Sequence, residues 1–157
     1  MHRSVEGDLP SMSGNKCSDV MTKKLACCTP SDTVHAAAQS MKAQDVGALP
    51  VVDSHEKKRL IGIVTDRDLV LKVVAAGLDP AKTKVDDVMS RKVVVCKSDD
   101  DWQIAVDAMA KHKLRRIPVV NDQGCIAGII AQADVATRIE KPEVTANVVE
   151  EISRAAA

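Results

Sequence analysis

The chain is predicted to be an α+β protein in which one β-α-β-β-α unit is used twice. Three observations carry this. The sequence repeats itself at a fixed offset, apolar periodicity alternates between helical and strand types in the same order in each copy, and the one gap between the copies falls in a turn. Asp19-Val20-Met21-Thr22 returns as Asp87-Val88-Met89-Ser90, and Leu49-Pro50-Val51-Val52-Asp53 as Ile117-Pro118-Val119-Val120-Asn121. Eleven of the 35 positions paired from Asp19/Asp87 to Asp53/Asn121 are identical. The offset then shortens because Asp53–Arg59 is matched by the shorter Asn121–Cys125, and turns tolerate such gaps. The repeat exceeds the ~20–50 residues of solenoid arrays, so two compact copies are expected rather than a stack.

Each copy opens on a segment ending in Val-Met and then a brief strand, Leu25–Cys28 or Val93–Cys96. A helix follows. Val34, Ala37, Ala38 and Met41 fall on one helical face, as do Trp102, Ala105, Val106 and Met109. Asp32 and Asp100 favour the helix starts as caps or through the dipole. The apolar strands Ala48–Val52 and Ile117–Val120 come next, each followed by a polar turn and a second strand, Leu60–Val64 or Ile126–Ile130. A second helix is expected from about Asp66 to Ala76, with Leu69, Val70, Val73 and Val74 as its stripe and Gly77 as its stop; its counterpart starts near Gln132. The division expected is a flexible lead over 1–17, copies over 18–77 and 85–139 joined by a linker at 78–84, and an amphipathic helix and tail over 140–157. In that tail Val144, Val148, Val149 and Ile152 share a face.

Composition narrows the function. The chain has 157 residues, 45% hydrophobic and 28% charged, and its 22 basic and 22 acidic residues balance. A copy of ~60 residues has a marginal core alone, so the two copies should pack together. Zero net charge leaves no electrostatic footprint for nucleic acid or an anionic membrane. With no Phe or Tyr and Trp102 alone, a base-stacking platform is missing. No apolar run reaches the ~20 residues of a membrane span. The first residues lack the apolar stretch of a signal peptide. Five cysteines without a CxxC pair fit reduced thiols in a cytoplasmic protein. His2, His35, His55 and His112 have no metal spacing, and the duplicated Met21/Met89 and Met41/Met109 read as core. Asp99-Asp100-Asp101 reads as a helix start, so no metal site is expected.

The sharpest local motif is Gly62–Leu69. A β-branched strand ends at Thr65 and a helix begins at once, with Asp68 three residues after Thr65: a capping-box arrangement with Asp in place of Glu. The same geometry suits a ribose, since a carboxylate at a strand-to-helix turn can accept from two vicinal hydroxyls. Arg67 and the helix start favour phosphate nearby.

Taken together and twice over, Asp-Val-Met-(Thr/Ser), (Leu/Ile)-Pro-Val-Val and Gly-Ile-(Val/Ile)-x-x-x-Asp resemble the CBS (cystathionine β-synthase) domain. The pair resembles the tandem called a Bateman module, of the stand-alone bacterial type. The resemblance covers about Ser18–Ile139. It implies two units packed sheet to sheet about a pseudo-twofold axis, with clefts between them for adenosine compounds: AMP, ADP or ATP, S-adenosylmethionine or NAD. It implies that Thr65 and Asp68 hold ribose and Arg67 phosphate. The second copy keeps Gly128 and Asp134 but has Ala131 and Ala133 in place of the hydroxyl and the cation, so that site is reduced. Clefts built across copies would give Asp68 a wall from Val93–Cys96 and Leu114-Arg115, with Arg115 and Arg116 joining Arg67 on phosphate. Asp134 would be walled by Leu25–Cys28 (Cys28 included) and Val46-Gly47. The function implied is a regulatory, non-catalytic nucleotide sensor, homodimeric and acting on a separate effector protein. The alternative is a structural interaction module with vestigial clefts. A nucleotide-hydrolysing enzyme is disfavoured, because no nucleophile–base pair, phosphate-cradling Gly-rich loop or His-carboxylate metal set is visible.

Overall fold

The computed structural model describes residues 15–138. The amphipathic helix expected over 140–157 and nearly all of the N-terminal lead lie outside the described residues. The described elements are α1 (Cys17–Val20), α2 (Val34–Gln44), β1 (Ala48–Val52), β2 (Leu60–Thr65), α3 (Asp66–Leu69), a π-helical turn (Val70–Val74), a 3-10 turn (Val85–Asp87), β3 (Cys96–Lys97), α4 (Trp102–His112), β4 (Arg116–Val120), β5 (Ile126–Ala131) and α5 (Gln132–Arg138). The mixed α+β order is the one expected from the repeat.

The chain divides into two compact units, and the division cuts across the repeat. One unit takes the described residues up to Lys23 together with Val94–Asp122 and those from Ala127 on; the other takes Lys24–Val93 with Gln123–Ile126. Each Asp-Val-Met segment therefore belongs to the unit built from the opposite copy.

In the Lys24–Val93 unit, β1 and β2 pair antiparallel, Ala48 facing Thr65 and Val51 facing Gly62, with a bulge before the Val52–Leu60 pair. The expected strand Leu25–Cys28 is reduced to one parallel bridge, Cys28 to Val51. Pro30 stops the pairing there, since proline has no N–H to donate. The core gathers Cys28, Val34, Ala37, Met41, Leu49, Val51, Val64, Leu69 and Val73 with Val85, Val88 and Met89 from the second repeat's opening segment. Helix α2 buries Val34, Ala37 and Met41, the face its spacing predicts. Its cap is Thr33, whose Oγ1 accepts from Ala36 N at 3.1 Å. Asp32, expected at the helix start, instead closes the preceding turn by accepting from Thr29 N at 2.9 Å.

The other unit repeats the pattern. Strands β3, β4 and β5 lie in that order, β3 parallel to β4. The expected strand Val93–Cys96 shrinks to Cys96–Lys97. Helix α4 buries Trp102, Ala105, Val106 and Met109 and is capped by Asp101, which accepts from Gln103 N at 2.8 Å. Asp100 holds the turn through Lys97 N at 2.8 Å, the counterpart of Asp32. Cys17, Val20 and Met21 complete this core. Cys17, assigned by sequence to the flexible lead, is fully buried.

The stripe expected on the helix after β2 is corrected. Leu69 and Val73 are buried, but Val70 is 53% exposed and Val74 70%. The segment widens into a π turn, with Ala75 N donating to Val70 O and Leu78 N to Val73 O. Such widening spaces inward positions further apart than 3.6 residues. Gly77 ends the segment at φ +71°, the left-handed conformation expected of a stop.

Candidate functional site

The turn from β2 into α3 fixes Thr65 and Asp68 against each other. Thr65 is extended and Asp66 is helical, so the Thr65 hydroxyl faces the free N–H groups of the first helical turn. Thr65 Oγ1 accepts from Asp68 N at 3.1 Å. In return Asp68 Oδ2 accepts from Thr65 N at 2.9 Å and from Thr65 Oγ1 at 3.0 Å. The other carboxylate oxygen, Oδ1, lies 3.3 Å from Lys72 Nζ, which also donates to Val88 O at 2.9 Å. Asp68 is thus a largely buried, oriented carboxylate whose Oδ1 retains lone-pair capacity for a hydroxyl donor. Arg67 is exposed beside it. Gly47 O accepts from Asp66 N at 2.9 Å, which brings Val46-Gly47 to this same turn.

The matching turn from β5 into α5 lacks the hydroxyl at Ala131, yet Asp134 is held in a similar way. Asp134 Oδ2 accepts from Ala131 N at 2.8 Å. Its Oδ1 accepts a hydroxyl from elsewhere in the chain: Thr22 Oγ1 donates to it at 3.2 Å. The Arg115 carbonyl accepts from Gln132 N at 2.9 Å, so Leu114-Arg115 stands at the Asp134 turn. Within the units, each pre-strand pair therefore adjoins its own copy's turn, a pairing the crossed expectation did not include. Arg116 begins β4 and is half-buried.

The remaining site residues are distributed as follows. Val93 is half-buried and is the last residue of the Lys24–Val93 segment that holds Asp68. Cys28 and Cys96 are 2% and 3% exposed, and their side chains serve the two cores. Burial pushes the Cys28 thiol up to about 12. Cys96 is also pushed up, first by its hydrogen bond with Cys17, whose sulfur lies 3.4 Å away, and then by burial. Sequence reasoning missed Thr22 and Lys72. Thr22 closes the repeated Asp-Val-Met-(Thr/Ser) motif, but nothing in that motif ties its hydroxyl to Asp134. Lys72 follows Asp68 by one helical turn, the spacing of a side-chain ion pair.

Both copies thus carry a carboxylate at a strand-to-helix turn, a Gly three positions before the turn residue and an opening Asp-Val-Met segment. The CBS domain model matches residues 17–75 and again 85–141. The chain belongs to the CBS domain family. As a tandem CBS protein it is 39% identical over 138 residues to the uncharacterized protein YlbB of Bacillus subtilis, covering 88% of this chain and 91% of YlbB. Among solved structures it resembles Hypoxic Response Protein I, known from Mycobacterium tuberculosis, at 33% identity and a TM-score of 0.71. That match covers 79% of this chain and 98% of the other. That protein carries two coordinated zinc ions; among the described residues here, no group of three His, Cys, Asp or Glu is placed to hold a metal. It also resembles the CBS domain pair of MJ0100, solved with 5′-methylthioadenosine and S-adenosyl-L-methionine, at 25% identity and a TM-score of 0.67, covering 77% and 92%. Among the described residues no helix is long and apolar enough to cross a membrane.

Proposed function

We propose that this CBS pair is a regulatory, non-catalytic sensor of an adenosine-containing small molecule, and that Asp68 is its principal ribose ligand. The observation that carries the reading is the Thr65–Asp68 pair, a carboxylate held by two hydrogen bonds from Thr65 on one oxygen, while the other, beside the Lys72 ammonium, keeps lone-pair capacity for a diol. The adenosine ligands of the MJ0100 pair support the ligand class. Arg67 serves the phosphate of AMP, ADP or ATP, and Val46-Gly47, placed at the same turn, lines the approach. Asp134 is a second ribose ligand, with the Thr22 hydroxyl standing in for the one Ala131 lacks; Arg115 is on that side. Val93, Cys96 and Leu114 contribute to the walls of the ligand sites, as do Cys28 and Arg116.

The sensor works as a homodimer on a separate effector protein in the cytoplasm. Val70, Leu71, Val74 and Leu78, close together in sequence, are each at least 50% exposed, and contiguous exposed apolar surface marks association sites. None of the five cysteines is in a disulfide, as a reducing compartment would keep them. Ligand control requires that the nucleotide bind one arrangement of the protein more tightly than another.

Calorimetric titration of Asp68→Ala and Asp134→Ala with AMP and ATP tests the assignment. Loss of a charged hydrogen-bond acceptor should weaken binding about tenfold or more at Asp68, with a smaller loss for Asp134→Ala. Equal losses would remove the ranking of the two sites, and undiminished binding by both variants would remove the ribose assignment.

A further inference from the structure

We propose that Lys72 is the residue that makes the Asp68 site select adenosine compounds bearing a phosphate over those bearing a sulfonium cation. This rests on the ribose assignment above and goes beyond it by naming the charge class of the ligand.

Asp68 alone would favour a cation. Asp66 and Asp68 put two carboxylates in the first turn of α3, and Arg67 offsets only one of them. Lys72 restores the balance. Its Nζ lies 3.3 Å from Asp68 Oδ1, and the Asp68 side chain is 19% exposed, so the ammonium acts where solvent screens it only partly. The Val88 carbonyl holds the same ammonium at 2.9 Å, which fixes its position beside the carboxylate. An ammonium carries three protons. Val88 takes one of them and the Asp68 carboxylate stands at ion-pair distance, which leaves donor capacity for a phosphate oxygen of a ligand whose ribose sits on Asp68. A phosphate there meets Lys72 and Arg67 together, whereas a sulfonium meets like charge at short range. In the second copy Gln132 and Ala133 replace Asp66 and Arg67, and Arg138 follows Asp134 at the spacing by which Lys72 follows Asp68.

The test compares AMP, adenosine and S-adenosylmethionine by calorimetry on the full chain and on its Lys72→Met and Lys72→Arg variants. Melting temperatures are recorded alongside to show that each variant is folded. Lys72→Met should weaken AMP by about tenfold, the scale of one charge-assisted contact, leave adenosine within about twofold, and leave S-adenosylmethionine unchanged or tighter. Lys72→Arg should keep the preference for AMP, and added salt should weaken AMP in the parent more than in Lys72→Met. Equal weakening of AMP and adenosine would make Lys72 a support for Asp68 only and overturn the proposal. So would a parent protein that binds adenosine or S-adenosylmethionine as tightly as AMP, although the adenosine-sensor reading would then stand. If no adenosine compound binds the parent, both readings fall.

Discussion

The five thiols divide by environment, and that division is testable residue by residue. Cys17, Cys28 and Cys96 are buried, while Cys27 and Cys125 are partly open. Burial raises Cys28 to about 12 and also raises Cys27, the latter opposed by Lys58. The reacting species is the thiolate, so a raised, buried thiol is doubly protected. Peptide mapping after brief alkylation of the native protein should find Cys27 and Cys125 modified ahead of the three buried thiols. Cys17, Cys28 and Cys96 should react only after denaturation; early modification of Cys28 would contradict its place in the core. The same scale shows what sequence could reveal of the site. Thr65 and Asp68 were legible because a capping box is local: its partners are three residues apart. Thr22 was not legible as a partner of Asp134, because nothing local indicates that a hydroxyl from the opening segment reaches a carboxylate over a hundred residues later.

At the scale of elements, the glycine in each Gly-Ile-(Val/Ile) strand has a steric reason. Ile63 and Ser90 exchange backbone hydrogen bonds at 2.9 Å, so the second repeat's opening segment crosses β2 directly over Gly62. A Cβ on Gly62 would stand 2.7 Å from Ser90 O and 3.2 Å from Met89 Sδ. On β5, Thr22 and Ile129 pair in the same way, and a Cβ on Gly128 would stand 2.5 Å from Met21 Sδ and 2.8 Å from Thr22 O. Glycine inside a strand marks such close approach of another backbone. Gly62→Ala and Gly128→Ala should each lose about 1–3 kcal/mol in urea unfolding, the range for overpacking. Met89→Ala should not rescue Gly62→Ala, because the nearest obstacle is a carbonyl rather than a flexible side chain; full rescue would refute the steric account. Helices α2 and α4 and strands β1, β2, β4 and β5 were readable because periodicity and turn residues are local signals. The first strands were overestimated, because their length depends on how many residues meet β1 or β4, which is set by tertiary placement.

For the whole molecule, the compact units and the sequence repeats part company, and this bears on which pieces of chain can fold. The core of the Lys24–Val93 unit uses Val85, Val88 and Met89, all from the opening segment of the second repeat. Val85 is 0% exposed, Val88 3% and Met89 8%. Burying a side chain of this size contributes about 1.5–3 kcal/mol, so the three together rival the 5–15 kcal/mol of a typical domain. A fragment cut at the repeat boundary, residues 15–82, keeps Cys17, Val20 and Met21 but not the core they fill, and it lacks the three residues its own core needs. A fragment cut along the unit, residues 24–93, reverses both defects at nearly the same length. Both are small enough for stability to be marginal, so the comparison isolates the opening segments. Residues 24–93 should show a cooperative thermal transition by circular dichroism, or at least the higher urea midpoint, whereas 15–82 should melt without a clear transition. An equal or higher midpoint for 15–82 would mean that each opening segment can fill its own copy's core, and that the exchange seen in the full chain is not what stabilises the units.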